Sequence, residues 1–192
     1  MRTNQTLLAL SLCLIAGLAS AQTTGKELDV NLSSDAVRAA FTWRLGDPNY
    51  LADLGWLYNQ DRGDVIHASF HLVDAASGTG TALQAGLGVR LVHTRTDPST
   101  FSGTSLALGG FARYTLPNAN RFNIGGFAYY APDVSSFGDQ REYYEIGVRA
   151  GYSVIRDGDV YLGVRRIEAE YKDIGGFKLD SGLHIGFEFR FK

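Results

Sequence analysis

Beyond residue 21 the chain has no cysteine; its one cysteine, Cys13, lies in the N-terminal segment. This excludes a disulfide framework and thiolate chemistry from the rest of the molecule. Lysine is nearly absent, with only Lys26, Lys172, Lys178 and Lys192, all near the expected ends of strands. The formal charge is −2 and no basic stripe is visible, so nucleic acid is not an expected partner. Long apolar runs are also lacking after residue 21, which excludes a membrane helix. The mean hydropathy of −0.08 is ordinary, but alternating strands average to such a value as well.

The first 21 residues read as a cleaved export signal. Arg2 supplies the positive charge, Leu7 to Leu18 form a short apolar run, and Ala19-Ser20-Ala21 fits an A-x-A cleavage site. Leu12 before Cys13 does not fit a lipoprotein signal. Residues 22–192 remain, a length expected of one domain.

That domain is a succession of alternating segments. In residues 182–191, Leu183, Ile185, Phe187, Phe189 and Phe191 share one face and His184, Gly186, Glu188 and Arg190 the other. Tyr50, Ala52, Leu54, Trp56 and Tyr58 repeat the pattern with aromatics at both ends, as a membrane interface requires. Turn signals separate the segments, among them Gly46-Asp47-Pro48-Asn49, Asp61-Arg62-Gly63 and Asp157-Gly158. The pattern predicts an all-β, antiparallel, up-and-down barrel of ten strands; eight is the second count, with the first hairpin as an extension. Both termini are expected at the periplasmic end, with longer connections at the opposite end. Two longer loops, Thr94 to Gly103 and Pro132 to Gln140, are the expected surfaces for a partner.

Alternation does not state which face is outside. The polar face carries Asp53, His67, Arg90, Arg113, Glu145, Arg149 and Glu188, and many glycines. Opposed arginines and carboxylates can pair across a narrow lumen, whereas a solvated surface is richer in lysine. The expected arrangement is therefore apolar side chains toward lipid in the outer membrane. A soluble periplasmic ligand-binding barrel is the inverted alternative. Phe111, Phe127, Tyr129, Tyr143 and Tyr161 point to a plugged interior. Residues 160–171 break the rule: Val160, Leu162 and Val164 share one face, Ile167, Ala169 and Tyr171 the other. An arginine at mid-bilayer costs about 2–4 kcal/mol. A β-bulge at Arg165 and Arg166 is therefore expected.

The stretch from Gly125 to Asp139, with Gly109 to Tyr114 and Tyr143-Tyr144-Glu145, resembles the YfaZ family of Gram-negative outer-membrane proteins across the whole domain. The resemblance implies an outer-membrane barrel and carries no catalytic residues. His184, Gly186, Phe189 and Phe191 also resemble the C-terminal signal read by the barrel-assembly machinery, although Lys192 follows the last aromatic. Implied partners are therefore outer-membrane lipid and, during insertion, that machinery. A monomer without cofactor is expected.

One arrangement invites an enzymatic reading. His67 and Ser69 lie on one strand face, about 6–7 Å apart at Cα, where an imidazole can serve as base to a hydroxyl. An outer-membrane lipid A deacylase resembles this with its His-x-Ser. The apolar neighbours Ile66, Ala68 and Phe70 claim the lipid side, however, so a lumen polar ladder is the expected role. His67 and His71 are about 13 Å apart along the strand, too far to share a metal without a third element. Gly78-x-Gly80 and Gly86-x-Gly88 lack the helix that a phosphate site needs.

Overall fold

The computed structural model describes residues 23–45, 49–75, 83–97 and 101–191. The expected export signal, most of the first tight turn and the Gly78-x-Gly80 segment lie outside the described residues. The strands are β1 (Thr23–Leu32), β2 (Ala36–Leu45), β3 (Tyr50–Asn59), β4 (Gly63–Ala75), β5 (Leu83–Thr96), β6 (Ser102–Thr115), β7 (Phe122–Ala131), β8 (Ser136–Gly138), β9 (Gln140–Ile155), β10 (Gly158–Tyr171) and β11 (Gly175–Phe191). The three-residue β8 lies along β6. The other ten form a meander in which each strand pairs antiparallel with the next. β1 then pairs with β11, from Lys26↔Phe191 to Leu32↔Ile185, and closes the ring. Closure satisfies the backbone hydrogen bonds of the spanning strands within the sheet, which hydrocarbon demands. The ten-strand barrel is as expected, and both described ends lie at one rim.

The alternation faces outward with its apolar side. Leu87, Leu108, Leu183 and Ile185 are among the most exposed apolar residues, while Glu188, Glu145 and Arg165 are 1–3% exposed. On β9 the outward run is Tyr144, Ile146, Val148, Ala150, Tyr152 and Val154. Ten residues of rise span about 33 Å along the strand and about 25 Å along the normal at a tilt near 40°, the height of a lipid-facing band. Outward aromatics mark its limits: Trp56, Tyr58, Tyr130 and Tyr144 at one edge, Tyr50, Tyr114, Phe122 and Tyr152 at the other. A soluble barrel would bury this face, so the inverted alternative falls.

Three expectations are corrected. The first is the bulge at Arg165 and Arg166. Pairing there is unbroken on both sides: Arg165 opposes Gly182 and Gly147, and Arg166 opposes Ser181 and Ile146. The register shifts instead between Ile167 and Glu168, where Leu179 on β11 is the extra residue. Leu179 and Asp180 are both buried there, and nearby Gly182 has φ 143°, which favours glycine. Alternation through β10 is strict, with Arg165 inside and Arg166 outside. Arg166 escapes the cost of lipid because it stands at the belt's edge, paired with Glu168 at 2.6 Å and lying over the Tyr144 ring.

The second correction concerns the loops. The far-rim connections whose residues are all described, 33–35, 60–62, 132–139 and 172–174, are three residues long except 132–139. The asymmetry lies in the strands, which rise past the belt at the far rim with Asp64, Arg95, Glu168 and Lys178 outward. The far rim is therefore the projecting one. Third, the described part of Thr94 to Gly103 is mostly strand, with residues 94–96 in β5 and 102–103 in β6: Thr94 is fully buried and donates to Gln140 at 2.7 Å. The other expected loop, Pro132 to Gln140, holds a 3-10 turn, Asp133–Ser135, and β8.

Candidate functional site

The lumen has three levels. At the projecting rim it is apolar. Leu57, Val65, Val92, Tyr143, Ile167 and Leu179 form a buried cluster with Tyr171, whose hydroxyl donates to Thr94 at 2.8 Å. Outside this level is water rather than lipid, so the strands bury apolar side chains inward as a soluble barrel does. The polarity of the alternation therefore inverts along β10, from Val164 outward to Ile167 inward.

The middle level is a polar network centred on Asp53. Its Oδ1 accepts from Ser69 at 3.2 Å and lies 3.1 Å from His67 Nε2; its Oδ2 lies 3.5 Å from His71 Nδ1. Arg90 donates to Ser69 at 2.8 Å and to Glu145 at 2.6 Å, with its guanidinium 3.7 Å above the Tyr129 ring. Tyr143 adds a bond to Glu145 at 3.0 Å. His67 and Ser69 thus meet through a shared carboxylate, with no direct hydrogen bond between them. Ser69 gives its proton to Asp53 and accepts from Arg90, so its proton and one of its two lone pairs are engaged. Both residues are buried within the lumen, away from lipid.

The third level, toward the terminal rim, is a lattice of arginines and acids. Glu188 is its hub and receives Arg113 at 2.6 Å, Arg149 at 2.5 Å and Arg190 at 2.7 Å. Arg113 also bonds Asp159, as does Arg190, while Arg149 reaches Asp29 at 3.0 Å. Tyr161 donates to Asp29 at 2.8 Å and accepts from Asn31 at 2.9 Å. Arg165, bonded to Asp180 and Asn31, joins this level to the cap. The sequence marked several members as one polar face but missed Asp29, Asn31, Asp159, Arg165 and Asp180. Their signal was parity: Glu27, Asp29 and Asn31 alternate with Leu28, Val30 and Leu32.

Beneath the middle network is a cavity of about 350 Å³ that opens at the terminal rim. Arg38, His71, Tyr129 and His184 lie deep in it, and Lys26, Arg44, Gln84 and Arg190 lie near its mouth. The expected assembly-signal residues divide between the two faces. His184 is buried and Gly186 packs against Tyr161, while Phe189 and Phe191 meet edge-to-face outside, ring centres 4.7 Å apart.

A family model described as "YfaZ precursor" matches residues 5–191. The chain belongs to the YfaZ family. With its apolar belt and closed ladder, this YfaZ protein is an outer-membrane β-barrel. Among solved structures it is similar to the outer membrane channel DcaP of Acinetobacter baumannii, at 12% identity and TM-score 0.45, covering 89% of this chain and 55% of that one. It is also similar to OmpT, an outer membrane protein of Vibrio cholerae, at 10% identity and TM-score 0.41, covering 86% and 64%. The YfaZ chain thus spans less than two thirds of each of these structures. No curated protein matches.

Proposed function

We propose that this YfaZ protein is a closed, non-conducting barrel with a structural or interaction role in the outer membrane, and that it performs no catalysis. The observation that carries this reading is the apolar cluster across the projecting rim. Water and ions crossing the lumen would have to pass between Leu57, Val92, Tyr143 and Ile167, all fully or almost fully buried. Against catalysis stand the engaged hydroxyl of Ser69 and its distance from lipid. Planar-bilayer recording of the purified protein is expected to show no steady conductance; stable large steps would refute the reading.

The C-terminal strand supports a second expectation, that the outward Phe189 and Phe191 serve recognition by the assembly machinery. Phe191→Ala is expected to lower the amount inserted in cells while purified protein still folds in detergent. Normal insertion of the variant would count against that role.

A further inference from the structure

We infer that the cavity at the terminal rim binds a small, water-soluble organic anion of the periplasm, one bearing a phosphate or carboxylate on a compact apolar body. Its volume of about 350 Å³ falls within the range of small-molecule sites, about 300–1,000 Å³. Phe111, Phe127, Tyr129 and Tyr161 give it apolar walls. Its blind inner end rests on the closed-barrel reading above.

The charge of the lining decides the class of ligand. Seven arginine and lysine side chains line it, against Glu27, Asp29 and Asp53. Counting Glu145, Asp159 and Glu188 behind the wall brings the signs almost level, so the choice rests on which donors remain unspent. Arg90, Arg113, Arg149 and Arg190 are held by those acids at hydrogen-bond distance. Arg38 is not: its Nη2 lies 3.8 Å from Glu145 Oε1, beyond a hydrogen bond. Its guanidinium sits 5.7 Å from the centre of the Phe127 ring. Arg44 and Lys26, nearer the mouth, make no hydrogen bond or ion pair with the described residues. The acids are mostly spent: Asp53 faces His67, Ser69 and His71, and Asp29 accepts from Arg149, Tyr161 and Asn31. Glu27 alone among the lining carboxylates has no hydrogen bond to a described residue. A cleft with low-dielectric walls and free guanidinium donors concentrates anions. A planar guanidinium then fits a phosphate or carboxylate edge.

Phenylphosphate is a suitable probe, titrated calorimetrically into the protein purified from outer membranes. Saturable one-site binding is expected, and benzyl alcohol, which lacks the charge, is expected to give none. Arg38→Gln is expected to weaken binding at least about tenfold, the loss of one charge-assisted contact. Glu27→Gln is expected to tighten it. Heat-modifiable gel migration reports that each variant retains the barrel. Absence of saturable binding, or equal affinity in a folded Arg38→Gln variant, overturns the proposal. Bilayer recording separates the two readings. A silent barrel that fails to bind loses only the site; a conducting barrel that binds loses only the closed lumen.

Discussion

Glu188→Gln is expected to destabilise the barrel by about 3–5 kcal/mol, the cost of breaking a buried ion pair from one side. Glu188 is 1% exposed and receives three arginines. The amide keeps the shape but removes the charge and turns an NH2 group toward donors that cannot accept from it. Arg113 and Arg190 retain Asp159, and Arg149 retains Asp29, so the arginines stay in place with insufficient negative charge. Urea unfolding in detergent measures the effect as a lowered midpoint. Glu168→Gln is the internal control. Its partner Arg166 has a 47% exposed side chain, and such pairs contribute about 0–1 kcal/mol. Adding Arg149→Met to Glu188→Gln is expected to recover part of the loss, because the double variant no longer strands that guanidinium. Equal losses in Glu188→Gln and Glu168→Gln would show that burial within the lumen adds nothing.

The same contrast explains which parts of this molecule could be read before its fold was known. A period of two says which side chains share a face, and membrane strands leave few alternatives for an apolar face flanked by aromatics. The strand count, the closure and the inward position of Asp53, Arg90, Glu145 and Glu188 follow from that. The error at Arg165 and Arg166 came from treating β10 as embedded in lipid along its whole length. The strand leaves the belt after Val164, and the same alternation then serves a different solvent on each side. No register shift is needed on β10, because Arg166 has reached the interface and Ile167 has reached the apolar cap. The bulge nearest these residues belongs to β11, at Leu179, where local sequence carries no mark of it beyond the nearby Gly182.

Pairing partners were the part that one-dimensional reading could not supply. His67 and Ser69 are two residues apart and looked like a possible base and nucleophile. The residue between them in space is Asp53, from the neighbouring strand, where Asp53 opposes Ser69. A cross-strand neighbour is set by hairpin register, and here it turns an apparent dyad into a three-sided polar contact. The Glu188 hub is longer-range still, joining β6, β9 and β11 across the lumen.

Gly186 carries the second large expected effect, and it separates two explanations of one residue. A Cβ built at Gly186 falls 2.3 Å from Tyr161 Cζ, 2.4 Å from its hydroxyl and 2.7 Å from Asn31 Cβ. The end of a tyrosine can often move aside, but this hydroxyl is fixed by Asp29 at 2.8 Å and Asn31 at 2.9 Å. Gly186→Val therefore adds overpacking of about 1–3 kcal/mol to the loss of a buried hydrogen bond, about 1–3 kcal/mol for an acceptor left unsatisfied. The expected result is failure to fold in detergent, where no assembly machinery is present. Gly186→Val with Tyr161→Ala is expected to fold, since the clash and the fixed hydroxyl leave together. If glycine here served only recognition by the machinery, purified Gly186→Val would refold as the parent does. The proposed roles then separate: Phe191, edge-to-face with Phe189 on the outer surface, is expected to act before insertion, and Gly186, pressed against Tyr161, in the finished barrel.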